Sequence, residues 1–393
     1  MILADIETRC SGKRWDNHAL RHALSHQDAA LSEAMTRLGG KPLEAILDRP
    51  GFFSSLGVQH RNILCDPADP EAWWRENAGQ EPFAAEGAQA VLALMRRHPP
   101  LRATDRVIVV GNGVDTVAPN IGYAVVAALQ ERRMDMEAPT SLALVGEGCS
   151  GFLSGLREAS HYIAAHPDAR VVVVTIEMMQ TPLLNPWLHQ AILDHADAVA
   201  RNGDDAQRDE VLRRLKNLGI QRYLFGEGCA AALCVGPNAA PASGLRFHKP
   251  KRWANLDPAD RHLLSLVATQ TSAPPFYPPF GMFRQTPRAM LQRLVEAYLP
   301  HAHHAFQERP HDRPIALAVH TGSGVILDLV RDTMGVSEEA MKPSRRVLQE
   351  HGNMNATTGA AIIASLLQDH HRDIFALFFG VGFALQTAWL IQE

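Results

Sequence analysis

The residue of this sequence best suited to covalent chemistry is Cys149, which lies in the segment Gly-Glu-Gly-Cys-Ser-Gly-Phe at 146–152. The apolar run 142–145 predicts a short buried strand before it, and the helical spacing of apolar residues in 152–165 predicts a helix after it. The thiol would then lie on a glycine-flanked turn at a helix N-terminus, where the positive end of the helix favours a thiolate nucleophile. A lone cysteine is nevertheless more often an inert buried side chain.

Two later segments place a histidine and an asparagine in similar positions. His320 ends an apolar run that is followed by glycines and a predicted helix, and Asn353 lies in His-Gly-Asn-Met-Asn-Ala-Thr-Thr-Gly at 351–359, just before another apolar helix. Each residue taken singly is typical of a cap or a turn. Three such residues at glycine-rich ends of strands and helices are typical of an α/β active site, so we predict a catalytic set of Cys149, His320 and Asn353.

Three motifs resemble those of type III polyketide synthases, the chalcone synthase group. Gly-Asn-Met-Asn-Ala at 352–356 is similar to that family's Gly-Asn-Met-Ser-Ser, and Leu-Phe-Gly-Glu-Gly-Cys-Ala-Ala-Ala at 224–232 is similar to its Leu-Phe-Gly-Asp-Gly-Ala-Ala-Ala. Val-His-Thr-Gly-Ser-Gly-Val-Ile-Leu-Asp at 319–328 resembles Ala-His-Pro-Gly-Gly-Pro-Ala-Ile-Leu-Asp. The resemblance covers roughly residues 55–393 and extends to ketoacyl-carrier-protein synthase III, which shares the Cys-His-Asn set but has a Pro-His-Gln-Ala-Asn stretch that is absent here.

The resemblance implies an α/β protein with the thiolase-like five-layered fold (αβαβα), built from two pseudo-repeated halves, and a homodimer. We assign residues 1–235 and 236–393 to the two halves. Alternating strands and helices from about residue 105 onward independently indicate sheets covered by helices on both faces. The segment 181–222 is longer than its counterpart in chalcone-synthase-like enzymes, and we interpret it either as a solvated surface helix or as a lid or partner surface. Residues 1–60 match the family poorly and look helical from Asp16 to Leu38.

The same resemblance implies the reaction. Cys149 would take an acyl group from a CoA or acyl-carrier-protein thioester, and an imidazolium at His320 could pair with its thiolate. His320 and Asn353 would then hold the thioester carbonyl of malonyl-CoA while an enolate develops with loss of CO₂, and this carbanion would attack the acyl-Cys149. We expect acyl-CoA and malonyl-CoA as substrates, no permanently bound cofactor and no metal. The alternatives are acyl transfer to an amine or hydroxyl without decarboxylation, and a non-catalytic partner subunit, which the complete triad disfavours.

Further residues are assigned to substrate binding by the resemblance. Phe225 and Phe280 match the two phenylalanines that line the acyl pocket, and Arg61 matches a basic residue that contacts the CoA phosphates. A basic cluster would either bind a carrier protein or form a solvated loop. Its members are Arg246, His248, Lys249, Lys251 and Arg252.

Two departures from the family's pattern lie near the predicted site. Gly-Val-Gly-Phe-Ala at 380–384 replaces the family's Gly-Phe-Gly-Pro-Gly, which alters the loop that shapes the cyclisation pocket. Glu147, two residues before Cys149, could oppose thiolate formation or serve as a base. Both changes leave room for a one-step condensing enzyme or an acyltransferase.

Composition excludes several other classes of protein. With 393 residues, 46% apolar and 20% charged, the chain is typical of a globular protein, and its net charge of −4 argues against a general nucleic-acid binder. Its five cysteines contain no Cys-x-x-Cys pair, and the N-terminus has no signal-peptide layout, so we expect a reduced cytoplasmic protein. The apolar stretch 374–391 is long enough for a membrane span, but its glycines and Gln386 favour two buried strands around a turn.

Overall fold

The computed structural model describes residues 1–78, 80–111, 120–133, 137–239, 244–260, 263–268, 281–285, 287–310, 313–320 and 322–392. The strands in these ranges are β1 Ile2–Cys10, β2 Lys13–Asp16, β3 His60–Ile63, β4 Arg106–Gly111, β5 Thr140–Val145, β6 Arg170–Met178, β7 Glu227–Val235, β8 Leu245–Ala254, β9 Leu264–Ala268, β10 Gly281–Gln285, β11 Ala316–His320, β12 Asp373–Gly380 and β13 Ala384–Ile391. Nine of them form one sheet in the order β11-β12-β13-β8-β1-β7-β6-β4-β5.

Helices cover both faces of this sheet. They are α1 Asn17–Ala23, α2 Ser25–Arg37, α3 Leu43–Leu47, α4 Phe52–Leu56, α5 Pro70–Glu76, α6 Pro82–Leu94, α7 Ile121–Arg132, α8 Gly151–Ala165, α9 Gln180–Leu183, α10 Pro186–Asn202, α11 Asp205–Leu224, α12 Pro287–Arg293, α13 Leu299–Gln307, α14 Gly324–Met334, α15 Glu338–His351 and α16 Asn355–Gln368. A 3₁₀ turn, Gly148–Ser150, precedes α8, and a π-helical segment, Leu294–Tyr298, links α12 to α13.

The two ends of the sheet repeat one arrangement of strands. β4 is parallel to β6, which is antiparallel to β7, which is antiparallel to β1. In the same way β11 is parallel to β12, which is antiparallel to β13, which is antiparallel to β8. A short pairing of β1 with β8 joins the two sets. An internal duplication would produce this repetition. The predicted division of the chain into halves at 235/236 falls between β7 and β8, and it stays a prediction.

Alternation of side chains along the strands separates two cores in the first set. On β6, Val171 and Val173 pack in a core with residues of α8 and α16, whereas Val172 and Val174 pack in another with α6 and α7. Successive side chains of a strand point to opposite faces, so this part of the sheet lies between two helical layers. Burial on both faces explains the apolar runs 107–110 on β4 and 171–174 on β6.

The second set is covered in the same way. Ala318 of β11 and Ala376 of β12 face the core that contains α8 and α16, and Leu317 and Leu377 face the core that contains α13 and α14. The layers are therefore α6 with α7, the first set of strands, α8 with α16, the second set, and α13 with α14. In the middle layer α8 and α16 each contact strands of both sets.

The helical prediction over Asp16–Leu38 is confirmed by α1 and α2, which cover 17–23 and 25–37. The central strand β1 and the short strand β2, which precede these helices, were not predicted. Acidic Asp5 and Glu7 alternate with buried Ile6 on β1, and both carboxylates accept hydrogen bonds from Arg97. The prediction missed β1 because its polar residues look like a solvated segment until β7 and β8 are placed beside it.

The predicted insert 181–222 folds as α9, α10 and α11, and α10 and α11 both pack on α2. Arg222 of α11 and Asp28 of α2 form a buried ion pair, and Tyr223 also donates a hydrogen bond to Asp28. The exposed middle of α11, where Arg214 pairs with Glu210, agrees with the surface-helix interpretation. Its C-terminal part is instead fixed in the protein, because a buried charge pair holds it against the N-terminal helices.

The apolar stretch 374–391 forms the antiparallel pair β12 and β13 inside the sheet. Within the described ranges, no helix has both the length and the apolar character needed to cross a membrane.

Candidate active site

Cys149 lies in the 3₁₀ turn between β5 and α8, where it is 8% exposed. Gly148 before it has φ +57°, and a Cβ there would lie 2.8 Å from the backbone nitrogen of Val381, so glycine is needed at this position. The strand and helix predicted around the nucleophile are both present. The strand, however, is the half-buried edge strand of the sheet and not a buried one, with Val145 56% exposed.

The turn between β12 and β13 packs directly on the Cys149 turn. A Cβ on Gly380 would lie 2.8 Å from the backbone nitrogen of Ser150, so a side chain at this position would clash with the Cys149 turn. Phe383 of the same turn is fully buried at φ +54° and contacts Tyr298 edge to face at 4.7 Å between ring centroids. The segment 380–384 therefore forms part of the wall behind the nucleophile.

Asn353 lies between α15 and α16 and is held by its backbone. Its N–H donates to Leu224 O at 2.9 Å, and its carbonyl accepts from Gly226 N at 3.1 Å. Its side chain reaches Cys149, with Nδ2 3.9 Å and Oδ1 3.8 Å from Sγ. The structure therefore brings together two of the three residues predicted from spacing.

Two further residues, Asn355 and Glu177, which were not predicted from the sequence, lie beside Cys149 and Asn353. Cys149 Sγ lies 3.1 Å from Asn355 Oδ1, and Asn355 Nδ2 donates to Glu177 Oε2 at 3.5 Å. The backbone N–H of Asn355 donates to Asn353 Oδ1 at 2.8 Å. A signal for each was present: Asn355 stands where the family motif has Ser, and Glu177 is a carboxylate shortly after the apolar run 171–174.

The electrostatics of the site favour a neutral thiol. Burial and, to a smaller extent, the Glu177 carboxylate raise the pKa of Cys149 to about 12, against the lowering effect of the hydrogen bond to Asn353. Burial thus opposes the thiolate that the helix N-terminus was expected to favour. A base must take the proton when the sulfur reacts.

His320 is the last residue of β11 and is paired in register with Phe378 of β12. The centroids of the two rings are 6.1 Å apart. Burial lowers the pKa of His320 to about 3, so the imidazole is neutral. Its Nε2 has no hydrogen-bond partner among the described residues. Burial, with no carboxylate beside the ring among the described residues, opposes the predicted thiolate–imidazolium pair with Cys149, which stays a prediction.

Glu147 is turned away from the sulfur. Its carboxylate accepts from Ser154 Oγ at 2.8 Å and lies 3.6 Å from the Arg252 guanidinium. The effects predicted for Glu147, opposing the thiolate or acting as a base, have no contact to support them. The carboxylate that acts on the Cys149 pKa is that of Glu177.

The predicted substrate-binding residues lie in different environments. Phe225 is buried in the core that includes α10 and α11, and its backbone forms a parallel bridge with Asn353. Phe280 lies outside the described residues. Arg61, on β3, is fully buried and donates to Asn17 Oδ1 at 2.5 Å. Burial lowers its pKa to about 10. A fully buried guanidinium does not face incoming CoA phosphates, so its placement does not support the predicted role.

The basic cluster on β8 is partly neutralised. Lys251 pairs with Glu308 at 2.6 Å, and Arg252 faces Glu147. This agrees better with a solvated surface than with a carrier-protein site. In the described ranges, no three or more His, Cys, Asp or Glu residues are grouped so that they could hold a metal ion.

No family model matches the chain. A Bacillus subtilis (strain 168) protein named "Putative chalcone synthase" is 26% identical over 255 residues, which are 62% of this chain and 60% of that protein. A type III pentaketide synthase from Neurospora crassa superposes with a TM-score of 0.68 at 16% identity, covering 100% of this chain and 99% of that one. CsyB complexed with CoA-SH superposes with a TM-score of 0.69 at 15% identity, covering both chains completely.

These superpositions confirm the thiolase-like five-layered fold. They also confirm the resemblance to type III polyketide synthases and extend it, since the structural likeness includes residues 1–54, where the sequence motifs gave no match.

Proposed function

We propose that the protein is a condensing enzyme that loads an acyl group onto Cys149 and joins it decarboxylatively to a malonyl unit. The observation that carries this proposal is the contact between Cys149 and Asn353, which are both buried. His320 ends β11, and the neighbouring strand β12 leads to Gly380 beside the Cys149 turn. The likeness to type III polyketide synthases, one of them bound to CoA-SH, supports CoA thioesters as substrates.

Loading requires a proton acceptor because the Cys149 thiol is neutral. His320, a neutral buried imidazole, has the basic nitrogen for this role. As the sulfur attacks the thioester carbonyl, the proton moves to the imidazole, and the departing CoA sulfur takes it up. The products are acyl-Cys149 and free CoA thiol.

Condensation uses the amide of Asn353. Its N–H₂ donates a hydrogen bond without carrying charge, so it stabilises the enolate oxygen that forms as malonyl-CoA loses CO₂. The enolate carbon then attacks the acyl carbonyl on Cys149, and the cysteine sulfur leaves and recovers a proton. The product is a β-ketoacyl thioester.

The remaining assignments are part of the same proposal. Phe225 and Phe280 line the acyl pocket, and the protein works as a homodimer. Support for a dimer comes from the edge strand β5, where Val145 is 56% exposed, and from Tyr123 on the neighbouring helix α7, which is 60% exposed. The cytoplasmic location stays a prediction.

The test combines two measurements on the purified protein. Incubation with acyl-CoA followed by mass spectrometry reports acylation of Cys149, and carboxyl-labelled malonyl-CoA reports release of CO₂. Acylation together with CO₂ release supports the proposal. Acylation without CO₂ release, with acyl transfer to an added amine, would establish the alternative acyltransferase, and the absence of acylation with every acyl-CoA would refute both.

A further inference from the structure

Arg61 is a buried cation, and no carboxylate among the described residues accepts a hydrogen bond from it. Its side chain is fully buried, and its Nη2 donates to Asn17 Oδ1 at 2.5 Å. Its Nε and Nη1 have no hydrogen-bond partner in the described ranges. Burial lowers its pKa only to about 10, so the guanidinium is still charged at neutral pH. A buried charge is costly unless hydrogen bonds and an opposite charge compensate it.

Trp15 carries a further unpartnered donor on the neighbouring strand. Trp15 of β2 pairs in register with Arg61 of β3, so the two side chains lie next to each other on one face of this two-stranded sheet. Trp15 is 7% exposed, and no described residue accepts a hydrogen bond from its indole Nε1. Since buried donors are nearly always hydrogen-bonded in folded proteins, two neighbouring unpartnered donors indicate a missing acceptor.

Lys13 places a second positive charge beside the same pair. Its Nζ lies 4.3 Å from the centroid of the Trp15 ring, and it forms no ion pair with any residue that the structure describes. Lys13 is exposed and Arg61 is buried, so the cluster of Lys13, Trp15 and Arg61 extends from the surface into the protein. Two cations and an indole N–H are hydrogen-bond donors only, and such a set is suited to an anion.

Carboxylates of the surrounding elements are engaged elsewhere. Asp16 accepts from the backbone N–H of Ala19 at the start of α1, and Asp28 is paired with Arg222. Asp16 raises the Arg61 pKa, but this effect is smaller than the lowering by burial. An anion from solution would supply the charge and the acceptor atoms that these side chains do not.

We propose that Lys13, Trp15 and Arg61 bind a small inorganic anion, such as chloride, that stabilises the folded protein. A Cβ on Gly226 would lie 3.3 Å from the Cβ of Arg61, and Gly226 N donates to the carbonyl of Asn353 at 3.1 Å. The anion site therefore lies next to the backbone that holds Asn353. Its occupant is a free ion, because a fully buried guanidinium does not face the phosphates of CoA.

The experiment measures the melting temperature of the purified protein while sodium bromide replaces sodium gluconate at constant ionic strength. Bromide takes the place of chloride, whereas gluconate is too large for a buried site. Above the dissociation constant, each tenfold rise in bromide should raise the melting temperature by about 1–2 °C. Trp15→Phe keeps an aromatic ring without the indole N–H, so about fivefold more bromide should be needed for the same rise. Arg61→Met should lose this rise.

Two further variants control for general effects of salt and of substitution. Trp389→Phe removes an indole N–H that donates to Ala305 O at 3.3 Å, and Arg14→Met removes an exposed guanidinium of β2. Both should keep the wild-type response to bromide. A wild-type response no larger than that of Arg61→Met would overturn the proposal.

Crystals of the wild-type protein grown in sodium bromide give a second measurement, which does not depend on whether Arg61→Met folds. An anomalous bromide peak within hydrogen-bond distance of Arg61 and Trp15 Nε1 is the expected result, and the lack of such a peak would refute the site. Added CoA should leave the bromide response unchanged. If CoA abolishes the response, Arg61 binds the CoA phosphates and the inorganic-anion site is wrong.

Discussion

Phe225 and Asn353 form a parallel bridge: the chain on either side of Phe225 hydrogen-bonds to Asn353, through Leu224 O at 2.9 Å and Gly226 N at 3.1 Å. Phe225 directly follows α11, so the last turn of that helix is tied to the asparagine whose amide reaches Cys149. Segment 181–222, which looks like a surface insertion in the sequence, thus leads directly into the backbone that holds Asn353.

Replacing Cys149 by Ala should abolish acylation and CO₂ release while the fold is retained, because the side chain removed is small. The measurements are intact-protein mass after incubation with acyl-CoA, and circular dichroism. Cys234→Ala, which removes another buried thiol from β7, is the control and should still be acylated. Acylation of the Cys149→Ala protein would show that the nucleophile lies elsewhere.

Asn353→Ala should reduce CO₂ release more than acyl loading. Removal of one donor that stabilises a developing oxyanion typically costs about 10²–10³ in rate, and loading does not need that donor to the same extent. Single-turnover loading and CO₂ release are to be compared in the same preparation. Equal losses in both steps would mean that Asn353 acts mainly through its structural contacts with Leu224 and Gly226.

Phe225→Leu should shift the preference for acyl chain length. The side chain is buried beside the backbone of Asn353, so a smaller group there enlarges any acyl pocket that reaches the site. The ratio of kcat/KM values for short and long acyl-CoA substrates measures the shift. If this ratio equals that of wild type, Phe225 is a core residue outside the pocket.

The buried ion pair between Arg222 and Asp28 should be essential to stability. Asp28→Asn leaves the guanidinium of Arg222 buried without its charge partner, and we expect a loss of about 3–5 kcal/mol in the free energy of unfolding. Arg37→Ala removes an exposed partner of Asp197 and should cost less than about 1 kcal/mol. Urea unfolding measures the loss in both variants. Equal losses in the free energy of unfolding would show that the buried pair stabilises the protein no more than an exposed pair does.

The packing of α10 and α11 on α2 decides how segment 181–222 can be tested. Deleting residues 200–218 would remove Val211, Leu215 and Leu218, which are buried, so we expect the deletion to unfold the protein. The lid interpretation is tested better by substituting the exposed Arg214 and Lys216 by Ala. Unaltered stability with altered kcat/KM would support a lid, and unaltered kinetics would leave α11 a structural support.

Acid should destabilise the protein through His320. Its pKa is lowered from 6.5 to about 3, so between these values the unfolded chain binds a proton that the folded protein does not. The stability that this histidine contributes is complete above pH 6.5 and declines as the pH falls, by about 2 kcal/mol at pH 5. His189, with a pKa lowered to about 4 by burial, acts in the same direction. The difference in unfolding free energy between pH 7 and 5 should therefore be smaller in His320→Gln than in wild type, and an identical difference would show that His320 does not titrate as described.

The sequence by itself determined the class of the fold, and it indicated the residues proposed for the site. Glycines near Cys149, His320 and Asn353 marked the ends of strands and helices, and apolar runs such as 171–174 marked strands covered on both faces. These are local properties, since backbone turns and side-chain alternation depend on residues that are neighbours in the sequence.

Only the tertiary structure decided which groups touch the sulfur and in what charge state. Asn355 and Glu177 are 178 residues apart, and both act on Cys149 because β6 and α16 pack together in the middle of the protein. The neutral state of His320 and the raised pKa of Cys149 come from burial, which depends on every layer of the fold. Burial also accounts for Arg61. In the sequence a basic residue looks like a phosphate-binding residue, but in the folded protein its side chain is buried.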